Sequence, residues 1–582
     1  RSHGNLFFQK YHNNFMNKLF TLLKNTFYPN NEEYYDFTLP ENEIENSENT
    51  EINSSENILT KTNKTPSETN SSNIKIDGIN SEKDPKNVFP SLSINLDFLK
   101  VKYNTLINSD IVIREFETLA QNQLYKSFII YIDGLVNSIS INDFVLEPLM
   151  FPKRVQNPNP ANLLNYIDNR LLPQNSVNKV EDFEAVCSGI NMGNCLLFID
   201  TLNIAFDIDV KKYNSRGVDK PENEVIIKGP QESFIENIRT NTSLLRKIVN
   251  NENLVIENIP VGNISKTKCG VCYMKNIANS DLVGEVKFRL SNLSIDSLLS
   301  TGQLEQLLDE EETFGVPQLI STERPDKCCK YLFQGRVIIL VNGNPYALIA
   351  PATIEDFLFS PEDTNLKPMF ANFLRAIRLI AGIITLLLPG LYIAVTSFHQ
   401  EILPTELLFS ILSARENVPF PMIFELLLME FSFELIREAG LRVPTPIGST
   451  IGIVGALILG DAAVNAGIVS PILIIVVAIT GISSFAIPDF SFGFHLRVFR
   501  FIFIALGFTA GFLGIGIGLF IYLTLLCSLK SFGVPYTSPI TPSSSDNNGY
   551  FIPPVWKQEF RDSFLSPKRK KSQAKISMKW KY

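Results

Sequence analysis

The chain has 582 residues, of which 52 are Lys or Arg and 60 are Asp or Glu, so its formal net charge is −8. This acidic balance argues against a nucleic-acid-binding protein, which would present a basic surface to the phosphate backbone. Apolar residues make up 45% of the chain, but nearly all long apolar runs lie between Ile377 and Leu529. The composition therefore predicts a polar first half followed by a membrane-embedded region.

Residues 1–87 are predicted to precede the folded part. Residues 1–29 form an N-terminal segment in which Met16 is a candidate start. The apolar stretch Met16–Leu23 predicts no secretory signal, because it is short and is followed by Lys24 rather than by a small-residue cleavage site. Without an export signal, we expect the N-terminal half in the cytoplasm. Residues 30–87 are rich in Asn, Ser and Glu and bury too little apolar surface to offset their chain entropy, which predicts a disordered linker.

Residues 88–368 alternate strand-like and helix-like patterns, which predicts an α/β domain of two subdomains with a candidate boundary at residues 250–261. The predicted strands are Ser127–Asp133, Asn194–Asp200, Glu224–Lys228, Val286–Leu290 and Gly335–Val341. The predicted helices are Leu96–Tyr103, Asp110–Glu117 with Asp110 as its cap, Gln231–Val249 and Ile295–Glu311.

The residues that enzymes use are sparse in this α/β region. The four histidines are His3, His12, His399 and His495, so the region has no histidine for general acid–base catalysis. The sequence has no G-x-x-x-x-G-K-[ST] phosphate loop. Its one C-x-x-C, at Cys269 and Cys272, has no second C-x-x-C or nearby His to complete a zinc site. We therefore expect reduced thiols, no metal, no cofactor and no enzymatic activity.

Residues 369–529 are predicted to form an α-helical membrane domain with four to six embedded segments, since a helix needs about 20 apolar residues to cross the hydrocarbon core. The first span, Ile377–Val395, contains Pro389 and Gly390, which membrane helices tolerate. Leu403–Leu412 is too short to span. The other segments are Pro419–Glu438, Gly448–Gly467, Val469–Ile487 and Arg500–Leu529. Within the last one, glycines at 507/511 and 514/518 have the spacing of close helix contacts.

Basic residues flank the spans on the side that the positive-inside rule assigns to the cytoplasm. They are Arg375, Arg378, Arg437, Arg442, Arg497 and Arg500. The hydrophilic tail, residues 530–582, is also basic, with Lys530 and the run at 568–571. A single span between two basic flanks breaks the rule. Arg500–Leu529 is therefore either a hairpin bent around Gly511–Gly518, or the tail lies outside; we favour an inside tail.

Four carboxylates interrupt the segment Pro419–Glu438. Glu430, Glu434 and Glu438 are four residues apart and share one helix face, while Glu425 lies roughly opposite. Intramembrane carboxylates tend to face a cavity, an ion path or a partner helix. Alternatively, this helix lies flat at the membrane surface with its charges in water. Both interpretations stay open from the sequence.

A series of motifs, in order from about Leu96 to Pro542, resembles the A subunits of GerA-type spore germinant receptors. In the α/β region the matching segments are Asp110–Phe116, Arg216–Val218, Gly229–Pro230, Arg239–Leu245, Thr322–Asp326, Gly335–Pro345 and Ser360–Asp363. In the membrane half they are Leu388–Tyr392, Ser397–Glu401, Arg415–Pro421, Leu428–Glu430, Arg437–Arg442, Ile482–Pro488 and Ser531–Tyr536. Two positions depart from the family pattern: Tyr213 stands where Trp is expected, and Lys220 where an acidic residue is usual.

The resemblance implies an integral protein of the spore inner membrane whose N-terminal domain is cytoplasmic. It implies two partners, a transporter-like B subunit that binds the nutrient germinant and a lipoprotein C subunit. It also implies a homo-oligomer of the A subunit in membrane lipid, which conducts monovalent cations early in germination. No nucleic-acid partner is expected.

We therefore expect a subunit that takes part in nutrient sensing and signal transduction as part of a nutrient-gated monovalent-cation channel. Glu430 and Glu434 are expected to face the pore or its mouth, with Glu425 as a further candidate and with Pro389 and Gly390 as a gating bend. The alternative is a non-conducting scaffold that assembles and clusters the receptor. A secondary transporter is less favoured, because the two halves of the membrane region show no inverted repeat.

Overall fold

The computed structural model describes residues 38–39, 85–120, 123–151, 163–174, 176–211, 220–310, 315–416, 418–442, 460–541 and 550–572. The predicted N-terminal segment, nearly all of the predicted linker and most of the predicted span Gly448–Gly467 lie outside these residues, as does Tyr213. The predicted fold class is confirmed: an α/β region of two subdomains precedes an α-helical region with spanning-length helices.

The first subdomain is a five-stranded antiparallel sheet in the order β1-β2-β4-β5-β3. Its strands are β1 Ile111–Ala120, β2 Gln123–Ile132, β3 Val177–Val180, β4 Cys195–Ile199 and β5 Ala205–Ile208. Its helices are α1 Leu92–Lys102, α2 Ser138–Ile141, α3 Glu147–Met150, α4 Leu163–Tyr166 and α5 Phe183–Asn191, with π-helical turns at Asn142–Leu146 and Ile167–Leu171. The apolar run that predicted β4 is buried on both faces, because helices cover both sides of the sheet.

The second subdomain repeats this arrangement with the order β6-β7-β9-β10-β8. Its strands are β6 Leu254–Val261, β7 Thr267–Met274, β8 Ile320–Thr322, β9 Val337–Val341 and β10 Ala347–Ala350. Its helices are α6 Ile238–Ile248, α7 Ser280–Asn292, α8 Thr301–Leu308, α9 Pro325–Gln334 and α10 Ile354–Leu358. Helices α6 and α9 cover one face of the sheet, and α7 and α8 cover the other.

A buried ion pair joins the two subdomains. Arg246 of α6 donates from Nε to Asp110 Oδ2 at 2.8 Å and from Nη2 to Asp110 Oδ1 at 3.0 Å. Asn108 accepts the backbone N–H of Ile256 in β6 at 2.8 Å. Asp110 therefore positions the end of the first sheet against the second subdomain, a role that its predicted use as a helix cap did not anticipate.

Three of the predicted elements are wrong. Asp110–Glu117 lies almost wholly in strand β1, which pairs along its length with β2. Val286–Leu290 lies in helix α7, where Glu285 and Arg289 form an ion pair one helical turn apart at 2.7 Å. Glu224–Lys228 forms no strand. Short apolar–polar alternations such as VKFRL are ambiguous between the two periods, and tertiary packing decided them.

The candidate boundary at residues 250–261 contains β6, the edge strand of the second sheet. Helix α6, which precedes it, already packs in the core of the second subdomain through Leu244 and Leu245. The chain therefore passes from one sheet to the other before α6.

The membrane half consists of helices α11 Pro368–Phe398, α12 Thr405–Ala414, α13 Met422–Arg442, α14 Pro471–Phe485 and α15 Phe490–Ser528, with a further helical stretch at 460–465. Among the described residues, α11 and α15 are long and apolar enough to cross a membrane, by length and composition. Helices α12 and α14 are shorter apolar helices.

Helix α15 is a hairpin, which is one of the two alternatives left by the charge pattern. Gly511 has φ 59° and ψ −138°, so the helix reverses there, and only glycine adopts such angles without strain. The side chains of His495 and Tyr522 lie 3.1 Å apart, although 27 residues of straight helix would separate them by roughly 40 Å. The two arms therefore run antiparallel, and both ends of α15 lie on the same side.

Helix α11 packs closely against the first arm of this hairpin. Pro389 lies inside a continuous helix, and a Cβ placed on Gly507 would lie only 2.5 Å from the carbonyl oxygen of Gly390. The two backbones can approach this closely because both positions are glycine.

The C-terminal segment returns to the second subdomain. It forms the two-stranded ribbon β11 Lys530–Ser531 and β12 Val534–Pro535, followed by 3-10 turns at Val555–Lys557 and Ser563–Leu565. The Ser531 hydroxyl donates to the Gln318 carbonyl at 2.7 Å, and the Ile354 N–H donates to the Tyr536 carbonyl at 2.8 Å. The tail therefore lies on the same side as the α/β region.

The Gly390–Gly507 crossing predicts a steric effect of substitution. We expect Gly507→Ala to lower the free energy of unfolding by about 1–3 kcal/mol, because the new methyl group has no space. Gly516→Ala is the matched control, since a Cβ at Gly516 meets no atom within 4 Å. Thermal unfolding of the detergent-solubilised protein measures both; equal midpoints for the two variants would contradict the close crossing.

Candidate functional site

Two of the predicted pore carboxylates lie together in the helical half. Glu430 and Glu434, one turn apart on α13, both face Arg500 on the first arm of α15. Arg500 Nη2 lies 2.8 Å from Glu430 Oε2 and 3.0 Å from Glu434 Oε1. The side chains of Glu430 and Arg500 have 0% exposure, whereas that of Glu434 is 25% exposed. A single guanidinium therefore holds both carboxylates.

Two further arginines complete what we call the α13–α15 charge cluster: Glu430, Glu434, Arg437, Arg497 and Arg500. Arg497 Nε lies 3.9 Å and Arg437 Nη1 lies 4.0 Å from Glu434 Oε1. These distances are too long for hydrogen bonds. Five charged residues of an otherwise apolar region are thus gathered at one helix–helix contact.

Glu425 belongs to a different contact, near the other end of α13. Its side chain has 0% exposure and forms an ion pair with Arg415, 2.8 Å from Arg415 Nη2. Its second oxygen accepts the backbone N–H of Ser470 at 3.2 Å. Glu425 therefore ties the α12–α13 connection to the start of α14. Since Glu425 and Glu430 are both buried, the alternative in which α13 holds its charges in water does not describe these two residues.

The predicted gating residues, Pro389 and Gly390, lie on α11. They do not belong to the charge cluster, but the next turn of their helix connects them to α13. Ile393 shares one buried apolar cluster with Leu426 and Met429 of α13 and with Ile504 of α15. The α11–α15 crossing and the helix that carries the carboxylates therefore pack around one apolar cluster.

Comparison with known proteins matches residues 97–564 to the family described as Bacillus/Clostridium GerA spore germination protein. The chain belongs to the GerA family. It is 38% identical over 493 residues to spore germination protein KA of Bacillus subtilis strain 168, covering 84% of this chain and 90% of that relative. It is also 38% identical to spore germination protein B1 of the same strain, covering 77% of this chain and 91% of that one.

Two further proteins are similar to this chain. An uncharacterized membrane protein of Bacillus subtilis, YfkQ, is 36% identical and covers 81% of this chain and 90% of its own length. The crystal structure of the N-terminal domain of the A subunit of the Bacillus megaterium germinant receptor GerK3 aligns at 30% identity with a TM-score of 0.38. It covers 47% of this chain and 99% of that domain.

Two motifs that carry the resemblance to the GerA family build the junction between the α/β region and the first membrane helix. Asp363, from Ser360–Asp363, accepts a hydrogen bond from Arg378 Nη1 of α11 at 2.6 Å. Arg336, from Gly335–Pro345, donates from Nη1 to Asp356 of α10 at 2.6 Å. Burial alone would raise the pKa of Asp356, but the Arg336 charge and the bonds from Thr353 hold that pKa below its ordinary value.

A cavity of about 140 Å³ lies at this junction, between α9, α10, the start of α11 and the C-terminal segment. Its lining includes Lys330, Glu355 and Asp562. Burial, and next the charge of Arg375, lowers the pKa of Lys330 to about 7. Burial raises the pKa of Glu355 to about 7, and also raises that of Asp562. None of these three residues was predicted from the sequence, because segments that are distant in the sequence bury them.

Arg500 was predicted from the sequence only as a positive charge that flanks a span. In the structure it pairs with two carboxylates, Glu430 and Glu434, which precede it by 70 and 66 positions in the sequence. The only available signal was indirect: a buried carboxylate in an apolar helix calls for a cation, and few arginines occur in the membrane half.

The shared ion pair predicts a non-additive mutant series. Arg500→Gln leaves Glu430 buried without a counter-charge, so we expect the free energy of unfolding to fall by about 3–5 kcal/mol. The triple variant Arg500→Gln, Glu430→Gln, Glu434→Gln should recover part of this loss, because neither carboxylate is then left buried without Arg500. Unfolding in detergent measures the series; a triple variant less stable than Arg500→Gln would contradict the pairing.

The junction cavity predicts a pH dependence. The pKa of Glu355, raised from 4.5 to about 7, stabilises the folded state at low pH, and this contribution is lost as pH rises through about 7. The pKa of Lys330, lowered from 10.5 to about 7, stabilises the folded state at high pH, and this contribution is lost as pH falls through about 7. Both effects disfavour the folded state near pH 7.

Glu355→Gln should therefore flatten the decline of the melting temperature between pH 4.5 and 7, whereas Lys330→Met should flatten its rise above pH 7. Each variant leaves the other limb in place and so serves as its control. Melting curves of the purified protein across this range test the assignment. Limbs that stay unchanged in both variants would show that other groups set the profile.

Proposed function

We propose that this chain is the A subunit of a nutrient germinant receptor, in which copies of it form a monovalent-cation channel that opens when nutrient is sensed. In this proposal residues 88–368 form a cytoplasmic, non-catalytic domain, residues 369–529 the membrane domain and residues 530–582 the tail. Membership of the GerA family supports the receptor role. The α13–α15 charge cluster, with Glu430 and Glu434 inside the apolar half, is the observation that supports conduction.

In the described arrangement the carboxylates of Glu430 and Glu434 are both paired with Arg500, which corresponds to a closed state. If α13 moves away from α15, both carboxylates lose this partner and can face a water-filled path, where a ring of acidic groups attracts cations. Pro389 and Gly390 lie where α11 contacts the same hairpin arm, so a bend there would shift α15. Nutrient binding would favour the open state by interacting better with it.

Apolar side chains on the outer surface of α13 support an oligomer or a lipid contact. Phe424, Phe431 and Leu435 are 51%, 60% and 54% exposed in the single chain. Large apolar surfaces of this kind are covered either by lipid or by another subunit. A channel needs several copies around one path, so we propose that this face of α13 contributes to a homo-oligomer.

The orientation follows from the hairpin. The tail and the α/β region lie on one side, where Arg375, Arg378 and Lys530 are also found. The positive-inside rule assigns this side to the cytoplasm. We propose the spore inner membrane as the location, with a transporter-like B subunit that takes the nutrient and a lipoprotein C subunit as partners.

We expect Glu430→Gln with Glu434→Gln to reduce nutrient-dependent potassium flux by about tenfold or more, since the cation path loses its negative charge. The measurement is flux through liposomes that contain the purified chain with its B and C partners. Glu401→Gln is the matched control, because Glu401 is an exposed carboxylate in the α11–α12 connection and should leave flux unchanged.

Two outcomes would contradict parts of the proposal. Unchanged flux in the double variant, with intact assembly, would remove these carboxylates from the cation path. Silence of the wild-type receptor under every nutrient, again with intact assembly, would favour the non-conducting scaffold that assembles and clusters the receptor.

A further inference from the structure

The α13–α15 charge cluster has more buried donors than acceptors. Arg497 and Arg500 have side chains that are 4% and 0% exposed. On each of them Nε and Nη1 are buried and have no hydrogen-bond partner among the described residues. Arg437 Nη1 is in the same condition. Both carboxylate oxygens of Glu430 are also buried without a hydrogen-bond partner in the described part of the chain, so five donor nitrogens lie beside two acceptor oxygens. Buried guanidinium donors without acceptors are costly, so this surplus of donors points to a binding site for an acceptor group.

The charges of the cluster indicate the sign of that ligand. Three guanidinium groups face two carboxylates, which leaves one positive charge in excess among these five residues. Arg500 Nη2 donates a hydrogen bond to Glu434 Oε1 at 3.0 Å and forms an ion pair with Glu430 Oε2 at 2.8 Å. The free donors on Arg437 and Arg497 are therefore available to an anion with several oxygen atoms, rather than to a further cation.

The position of the cluster indicates where the anion comes from. Arg497 lies about 10 Å along α15 from Phe490, at 1.5 Å per residue, in the part of the hairpin arm nearer the α/β region. The rings of Phe490 and Phe494 pack against Arg497, with centroids 5.9 and 5.2 Å from its Cζ, and they are 62% and 54% exposed. Arg437 packs in the same way on Phe485, which is 61% exposed.

These exposed rings form an apolar rim beside the buried donors. An acyl chain can lie against such a rim while its headgroup phosphate reaches the guanidinium groups. Arginine suits this task because its planar fork binds two phosphate oxygens at once. Basic pockets between helices at the cytoplasmic side of a membrane bind anionic headgroups in this way.

We propose that Arg437 and Arg497, backed by Arg500, form a binding site for a phosphate group, supplied by an anionic phospholipid or by free phosphate. The bound phosphate satisfies the unpaired donors and balances the excess charge of the cluster. Arg500 keeps its bonds to Glu430 and Glu434. The site stands whether or not the chain conducts ions, because it rests on the unpaired donors alone.

The test is lipid retention by the purified full chain in a neutral detergent, titrated with phosphatidylglycerol and, separately, with zwitterionic phosphatidylcholine. Native mass spectrometry counts the bound lipids. We expect phosphatidylglycerol to bind the wild type about tenfold more tightly than the double variant Arg437→Gln, Arg497→Gln. Each of the two substitutions removes charged hydrogen bonds to the phosphate group. Lys367→Gln removes one exposed positive charge near the start of α11 and serves as the control, expected to bind like the wild type.

A second variant keeps the test decisive if the double variant does not fold. Arg497→Lys retains the charge but loses the two-pronged geometry, so its affinity for phosphatidylglycerol should fall between those of the wild type and the double variant. Inorganic phosphate at millimolar concentration separates the two sources. Displacement of the lipid by it supports a site open to free phosphate, and retention of the lipid supports a headgroup site.

Equal affinity of phosphatidylglycerol for the wild type, the double variant and Arg497→Lys would overturn the proposal. So would an equal loss in Lys367→Gln, because binding would then follow net charge alone. Preference for phosphatidylcholine over phosphatidylglycerol would contradict the excess positive charge of the site. None of these readouts depends on ion flux, so failure here is distinguishable from failure of the channel proposal.

Discussion

A charge that leaves water must find a partner, and the joints of this protein are built on that constraint. Buried arginine–carboxylate pairs stand at three places where parts of the chain meet. Arg246 and Asp110 join the two subdomains, and Arg378 and Asp363 join the α/β region to α11. Arg500 joins the hairpin to α13. Removing one partner of such a pair is far more damaging than replacing both, so each joint specifies one arrangement.

Apolar packing also places the α/β region against the membrane helices. Phe357 of α10 stacks on Phe492 of α15 at 5.7 Å and lies 6.0 Å from Tyr536 of the tail. The start of the hairpin, its return and the second subdomain therefore form one continuous core. Both ends of α15 therefore pack against the second subdomain.

The junction cavity and the α13–α15 charge cluster differ in how their charged groups are paired. The cavity holds Lys330, Glu355 and Asp562 with few direct partners, at the interface of three segments of the chain. The cluster instead forms ion pairs between its carboxylates and Arg500, and leaves five arginine nitrogens and both Glu430 oxygens without hydrogen bonds to any described residue. Proton binding would therefore act at the junction of the α/β region with α11, whereas the proposed phosphate would act at the contact between α13 and the hairpin.

The sequence by itself determined what depends on composition and short-range order. The apolar run Ile377–Val395 lies within α11, because its length and hydropathy suffice for a spanning helix. The run Asn194–Asp200 correctly predicted strand β4. The local sequence gave a wrong prediction where the helix and strand periods fit equally well. Val286–Leu290 was predicted as a strand but lies in helix α7. The charge pattern narrowed α15 to two alternatives, and the packing of Tyr522 against His495 decided for the hairpin. Only the tertiary structure paired Glu430 with Arg500, because an ion pair between residues 70 positions apart depends on how the helices pack, and no local pattern encodes that distance.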